Sequence, residues 1–598
     1  MTAPEPTQIG GSLASYTITA NGTPIDTAWD VVSIDIWSGV NILPKARLTI
    51  LDGNAADQTF PISETGTLVP GAKLTIALGY DGTAAPVFSG IVYRQGIEIA
   101  SDGPPRLIVE ATDPAMAMTL ARRNAVFENA TDSAVIAELI GNAGLIASVA
   151  TTSPVEETIV QFHASDWDFM LLRAAVNGMV VTASGGTVTV APPDTDQSPV
   201  LTLTYGTSIL DFRADMDAST QYAAGAVQSI AWDPATQEIA RSGTASASVT
   251  APGNISSEKL AEVFGVTSLQ QQTGATLGQD DLTTWSSARL AQSRLAKICG
   301  ECRFQGSALA KAGSMMTLAG LGSRFNGNAY VSAVHHRVVA GEWTTIATIG
   351  LSPNWSGDAV AAAVAPAASG QIPAAANLQT GIVQAIDQDP GGEFRVQVSL
   401  PLLQAGNNVW ARLASFYASD NAGAFFYPEV GDEVVVAFMN GDPRFPVIVG
   451  SLYSKRNPAP IPPDATNARK SIVSRSGLRI DLFETGGAIE ISTPAGQSVR
   501  LDDQAGTVTI KDANRNVVTM AGSGVTVDSA ASITLSAKTD IDITAAGNLS
   551  LKGASGIAIA GLTIDANAQT SFSATGTADA KLTSSGMVVI EGGMVKIN

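Results

Sequence analysis

Two histidines stand side by side at His335 and His336, and imidazole is the side chain best suited to acid–base work or metal ligation near neutral pH. Their spacing argues against both uses. The segment reads as a strand, where neighbouring residues point to opposite faces, so the two rings cannot close on one ion or one proton. The third histidine, His163, lies far off in the chain. Cys299 and Cys302 form one CxxC in ICGECRF. That spacing supplies half of a zinc site or a redox pair, but no second CxxC and no nearby histidine completes it, and two reduced cysteines are the simpler reading. Asp166 and Asp168, near Arg173, can be drawn as an acid–base set. Their place at the start of a helix, where carboxylates interact favourably with the macrodipole, accounts for them without chemistry. No catalytic residue, cofactor site or metal set is expected.

The elements that hold these residues belong to several domains, because 598 residues are too many for one core. Hydrophobic residues make up 45%, aromatics 6% and charged residues 15%, so small Gly, Ala, Ser and Thr side chains fill much of the rest. A net charge of -20 repels phosphate backbones and anionic membrane surfaces, which makes nucleic acid a poor partner. The first residues, MTAPEPTQIGGSLASYT, have neither a basic n-region nor an apolar h-region, so no secretory signal is read and folding in the cytosol is expected. AVAAAVAPAA from Ala359 is too short to span a bilayer and is broken by Pro366.

Up to residue 354 the chain is mostly strand-like. ARLTILDG, KLTIALGY, RLIVEATD and GTVTVAPP alternate apolar and polar residues with period two and end on turn formers. Three stretches with three- and four-residue spacing predict helices: DSAVIAELIGNAG from Asp132, SDWDFMLLRAAVNG from Ser165 and LTTWSSARLAQSRLAKIC from Leu282. Ser165 and Asp168 have the spacing of a capping box, and the first two helices end on a Gly suited to the C′ position. Residues 355–378 fill with Ala, Gly and Pro and read as a linker. Five strand candidates with short turns follow over residues 379–454, from TGIVQAID to FPVIVGSLY, a pattern that fits a small closed OB-type barrel. The three arginines weighed there as a nucleic-acid groove, Arg395, Arg412 and Arg444, are outnumbered by carboxylates. A second, Pro-rich linker spans residues 455–474.

The last segment, 475–598, repeats. Apolar pairs recur at Val499/Leu501 and Val508/Ile510, then settle to a period of eight at Val525/Val527, Ile533/Leu535, Ile541/Ile543, Leu549/Leu551 and Ile557/Ile559. Each octad offers a strand of about three residues with two side chains on one face, and one octad cannot bury its own pair. Three chains wound together solve this, since each octad then forms one side of a triangular prism on whose axis the ten residues from Val525 to Ile559 meet. Each buried aliphatic side chain contributes roughly 1.5–3 kcal/mol, and strand pairing between chains satisfies the backbone.

The order of modules resembles VgrG proteins and the hub and spike of contractile phage tails. Three stretches carry the resemblance: SDWDFMLLRAAVNGMVV at Ser165, GNAYVSAVHHRVVAGEWTT at Gly327 and YPEVGDEVVVAFMNGDPRFPVIVGSLY at Tyr427. It implies a mainly β homotrimer: residues 1–354 a hub of two tube-like β-barrels with helical insertions, residues 379–454 an OB-fold barrel, and residues 475–598 an intertwined trimeric β-helix. The hub would cap a sixfold tail tube among baseplate proteins, and the needle would puncture a target membrane on sheath contraction. A PAAR-repeat tip protein would dock on Met594, Val595, Ile597 and Asn598, with effector cargo carried elsewhere. Neither a lysozyme domain between barrel and needle nor a His-x-His metal motif near the tip is read, so a bare, non-enzymatic spike is expected, assembled in the cytoplasm and released with a tail-like particle. The alternatives are a trimeric receptor-binding fibre and an enzyme-bearing tail hydrolase.

Overall fold

The computed structural model describes residues 3–6, 13–353, 360–361, 363–402 and 408–597. Strands make up 39% and helices 12%, so the chain is mainly β, as the alternating segments predict. Lys73–Tyr80 shows why: it buries Leu74, Ile76 and Leu78 and leaves Thr75 and Ala77 half-buried.

Thirteen strands of the first 350 residues join one sheet. Along its main path run Ile209–Met216, Ile298–Gln305, Glu342–Ile349, Gly327–Val339, Val31–Gly39, Ile42–Leu51, Arg106–Thr112, Thr83–Glu98, Lys73–Tyr80 and Ala14–Ala20. The two barrels implied for this region are met by a single continuous sheet carrying two cores. Ile34, Leu48, Ile76 and Val109 belong to one core, and Leu203, Phe304, Met316 and Val331 to the other. The thirteen-residue strand Gly327–Val339 serves both halves. Its first residues pair with Met315–Ala319 and the remainder with Val31–Gly39, with a bulge near Ser332 where its partner on the other side shifts register.

Helices α1 (Asp132–Asn142) and α2 (Asp166–Val176) pack with Val181 and Val188 around Ile136, Ile140 and Met170. Thr131 and Ser165 cap them by accepting the N–H groups of Ala134 and Asp168, and Gly144 and Gly178, at φ +73° and +66°, stand where the sequence placed C′ glycines. Helix α3 (Ser257–Ala261) was not foreseen; five residues are too few for a periodic signal. Helix α4 (Gln279–Leu295) starts a turn before Leu282 and stops short of the expected end, because Ile298–Gln305 is claimed by the sheet.

The five strands Gln379–Ala385, Val396–Ser399, Asn408–Leu413, Glu433–Phe438 and Pro446–Ser451 close into a barrel around Val383, Val398, Ala411, Val436 and Ile448. The stretch read as a free linker, 355–378, is partly packed; its residues 355–359 and 362 lie outside the described residues. Ala363 is buried in the helical core, the Ala375 N–H donates to the Gly441 carbonyl at 2.8 Å, and Arg444 Nη2 donates to Gln371 Oε1 at 2.9 Å. Its small alanines permit that close approach.

Residues 453–598 form a second unit. Seven antiparallel strands run as a meander: Arg469–Val473, Arg479–Phe483, Ala488–Ser492, Ser498–Asp502, Thr507–Lys511, Val517–Ala521 and Gly524–Asp528. The first lies inside the 455–474 stretch read as linker, because the prolines end at Pro463 and alternation resumes before residue 475. Residues 529–597 contain no strand or helix in the single chain; the short octad strands are expected from pairing between chains.

Candidate functional site: an uncovered apolar face

The residues that could do chemistry are each engaged locally. His335 and His336 face opposite ways on their strand. His335 Nε2 lies 2.9 Å from Asp35 Oδ1, and its ring stacks on Trp37 with centroids 4.8 Å apart. His336 is buried beside Trp343 with Nδ1 2.9 Å from Thr345 Oγ1. Burial, reinforced by the neighbouring His335, pushes its pKa down to about 4. Cys299 and Cys302, three apart on Ile298–Gln305, also point to opposite faces, and both are free thiols. Burial pushes Cys299 up to about 11 and Cys302 to about 12, so neither offers a thiolate.

The acid–base set drawn from Asp166, Asp168 and Arg173 does not form. Asp166 accepts from Gln161 Nε2 at 2.8 Å, and Asp168 accepts from Ser165 Oγ at 2.5 Å, closing the cap. Arg173 turns to Asp132 instead, donating through Nε and Nη2 to both carboxylate oxygens at 2.5 and 2.9 Å. In the barrel, Arg395 and Arg444 are held by Asp389 and Asp442, each at 2.7 Å, which removes two arginines of the supposed groove. Among the described residues no three His, Cys, Asp or Glu are grouped to hold a metal, and no helix is long and apolar enough to cross a membrane.

What the structure does build is a surface. In the C-terminal meander the strand register sorts side chains by face. One row aligns Leu482, Ile489, Leu501, Val508, Met520 and Val525; the next aligns Ile472, Ile480, Ile491, Val499, Ile510, Val518 and Val527. None of these is buried and most are exposed. The opposite face is polar and internally paired. Asp481 is buried between Arg469 at 2.8 Å and Arg479 at 3.3 Å, and the Arg469 hydrogen bond chiefly holds its carboxyl down at about 2. Arg500 binds Glu490 at 3.0 Å and Asp502 at 2.8 Å, and the Arg469 and Arg500 guanidinium groups each lie 5.1 Å from the Phe483 ring centre.

Of the residues expected on a trimer axis, Val525 and Val527 end these two rows. Ile533, Leu535, Ile541, Ile543, Leu549, Leu551, Ile557 and Ile559 follow beyond the sheet, and all ten are more than half exposed. Met594 and Ile597 are largely exposed and Val595 about half, while Asn598 lies outside the described residues. Sequence reading found part of the face but missed Ile472, Ile480, Leu482, Ile491, Val518 and Met520. Their signal was the same alternation, masked by the assignment of 455–474 to a linker and by turns of uneven length.

Comparison with known proteins places these parts. A family model described as the Alg8 N-terminal domain matches residues 10–340, and one described as the type VI secretion system/phage-baseplate injector OB domain matches residues 379–453. The type VI secretion system spike protein VgrG3 of Vibrio cholerae is 33% identical over 100 residues, 17% of this chain and 8% of that protein. The spike protein VgrG1c of Pseudomonas aeruginosa is 28% identical over 150 residues, 24% of this chain and 19% of that one. The chain thus aligns with under a fifth of the length of these relatives. Among solved structures, the 43 kDa tail protein of prophage MuSo2 from Shewanella oneidensis is 12% identical with a TM-score of 0.42, covering 57% of this chain and 98% of its own. With more than half of its residues matched by the first model and its barrel by the second, the chain belongs to the family of the Alg8 N-terminal domain and, as a VgrG-like chain, carries the injector OB domain of type VI secretion systems and phage baseplates.

Proposed function

We propose that this chain is the spike subunit of a contractile, tail-like injection machine and works as a homotrimer. The hub of residues 1–354 caps the tail tube at the baseplate, the barrel joins hub to needle, and residues 475–598 of three chains wind into the shaft that pierces the target membrane when the sheath contracts. The observation that carries this reading is the two-row apolar face and its continuation in the octads. A soluble monomer rarely leaves so long an apolar stripe uncovered, and two copies of the same stripe cover it while pairing the octads' free backbone.

The work is mechanical. No side-chain chemistry is required to pass an axial push from a wide base to a stiff shaft, and the named spike relatives support a non-enzymatic role. Met594, Val595, Ile597 and Asn598 would form the blunt end on which a PAAR-repeat tip protein docks, with effector cargo carried by the tip or the tube. Light scattering on the purified protein tests the reading. A mass three times 61.3 kDa, lost when the chain is cut back to residue 454, is expected; a full-length monomer would refute it.

A further inference from the structure

The apolar face differs from the octads that follow it in one respect: it is already built in a single chain. Six antiparallel pairings complete its ladder, and its polar side is closed by the Asp481 and Arg500 ion pairs. Residues 529–597 have no such support. Ordering them on association costs about 1–2 kcal/mol of backbone entropy per residue, whereas a preformed face meets its partner with little further ordering.

We propose that the meander Arg469–Asp528 is itself sufficient to hold three copies together, face to face to face, and that the octads take their register from it. The proposal rests on the trimeric reading above. Its occupant is a second and third copy of the same face, for reasons of width and continuity. Six of the seven strands contribute two apolar residues, about 6.6 Å apart along the strand, and the first contributes Ile472 alongside Lys470; at a spacing of about 4.8 Å the seven give a strip roughly 29 Å long. Two residues per strand is also the number that each octad offers, so from Arg479–Phe483 onward three copies give six apolar side chains per layer in the sheet and in the octads alike. The cross-section therefore continues unbroken from one to the other.

The junction is fixed in the single chain. Asn516 Oδ1, in the turn before Val517–Ala521, accepts from Ser529 Oγ at 2.8 Å and from the Ala530 N–H at 3.1 Å. That latch brings Ile533, the first octad residue beyond the sheet, into one groove with Ile491, Val499, Ile510 and Val527. This side chain thus extends the row already laid down.

The test compares single substitutions in the full-length chain by light scattering and limited trypsin digestion. Ile541→Asp, in the octads, is expected to keep a mass of three chains while trypsin cuts freely at Lys538 and beyond. Ile491→Asp and Met520→Asp, one in each row of the sheet, are expected to give monomers, and Thr509→Asp, on the polar face of the same sheet, to stay trimeric. All eight tryptophans lie at or before Trp410, so their emission reports separately that hub and barrel remain folded in each variant. A monomeric Ile541→Asp with unchanged tryptophan emission, or a trimeric Ile491→Asp, overturns the proposal and leaves the trimer standing. A monomeric unsubstituted chain overturns the trimeric reading along with it.

Discussion

Arg173, in the last turn of helix α2, grips Asp132, in the first turn of helix α1, through two parallel N–H donors, and Asn177 Nδ2 adds a third bond to the same carboxylate at 2.6 Å. Each charge sits where its own helix dipole favours it. Because Asp132 is buried, removing the guanidinium leaves a carboxylate without its main partner. Arg173→Ala is expected to destabilise the hub by about 2–3 kcal/mol. Arg173→Lys should recover only part of this, since an ammonium cannot make both bonds. The thermal midpoint followed by tryptophan emission measures both; equal midpoints for wild type and Arg173→Ala would contradict the clamp.

His336 gives the hub an acid limit. Its folded pKa of about 4 lies below the ordinary 6.5, so between those values the unfolded chain binds a proton that the folded chain refuses. Its contribution is intact above pH 7 and is lost as pH falls through 6.5 toward 4, by up to about 1.4 kcal/mol per pH unit. His336→Gln should lower stability at pH 8 through poorer packing yet show a flatter decline between pH 6.5 and 4.5. An unchanged slope would assign the acid sensitivity elsewhere.

Gly306 lies flat against the Trp343 indole. A Cβ at that position would fall 2.0 Å from Cδ2 of the ring, and Trp343 is 4% exposed with no space to retreat. Gly306→Ala should therefore cost about 3 kcal/mol or more, in the range of overpacked cores. Chemical denaturation decides it, and a neutral result would mean that the indole has another site to occupy.

The two thiols should be inert in the folded protein. With pKa values raised to about 11 and 12, both Cys299 and Cys302 are expected to react with a thiol probe at pH 8 far more slowly than in urea, and no intrachain disulfide should form under oxidation. Rapid labelling of the native chain, or a disulfide seen by mass spectrometry, would contradict their placement on opposite faces.

The sequence made the barrel plain because each of its strands alternates cleanly between turns, as in Glu433–Phe438. It revealed the α2 cap because Ser165 and Asp168 are local. It could not reveal partners that lie far away: Asp35 for His335, some 300 residues distant, or Asp132 for Arg173. The octads were legible as a period and were read as short strands that pair between chains; residues 529–597 of one chain contain no strand, since a strand is defined by its partner. Helix α3 and the strand Arg469–Val473 were hidden for a simpler reason. Each spans five residues, too short to stand out beside turn-rich neighbours.

The pairing of Val31–Gly39 with Gly327–Val339 joins seven residue pairs across nearly the whole hub. The hub is therefore a closed ring of chain, in which the first strands wait for the last before their sheet is complete. During synthesis Val31–Gly39 can pair at once with Ile42–Leu51, but its other edge must stay open until some 300 further residues have been made. Once the ring has shut, a single cut in an exposed loop between them would leave two fragments that travel together, separable only by unfolding.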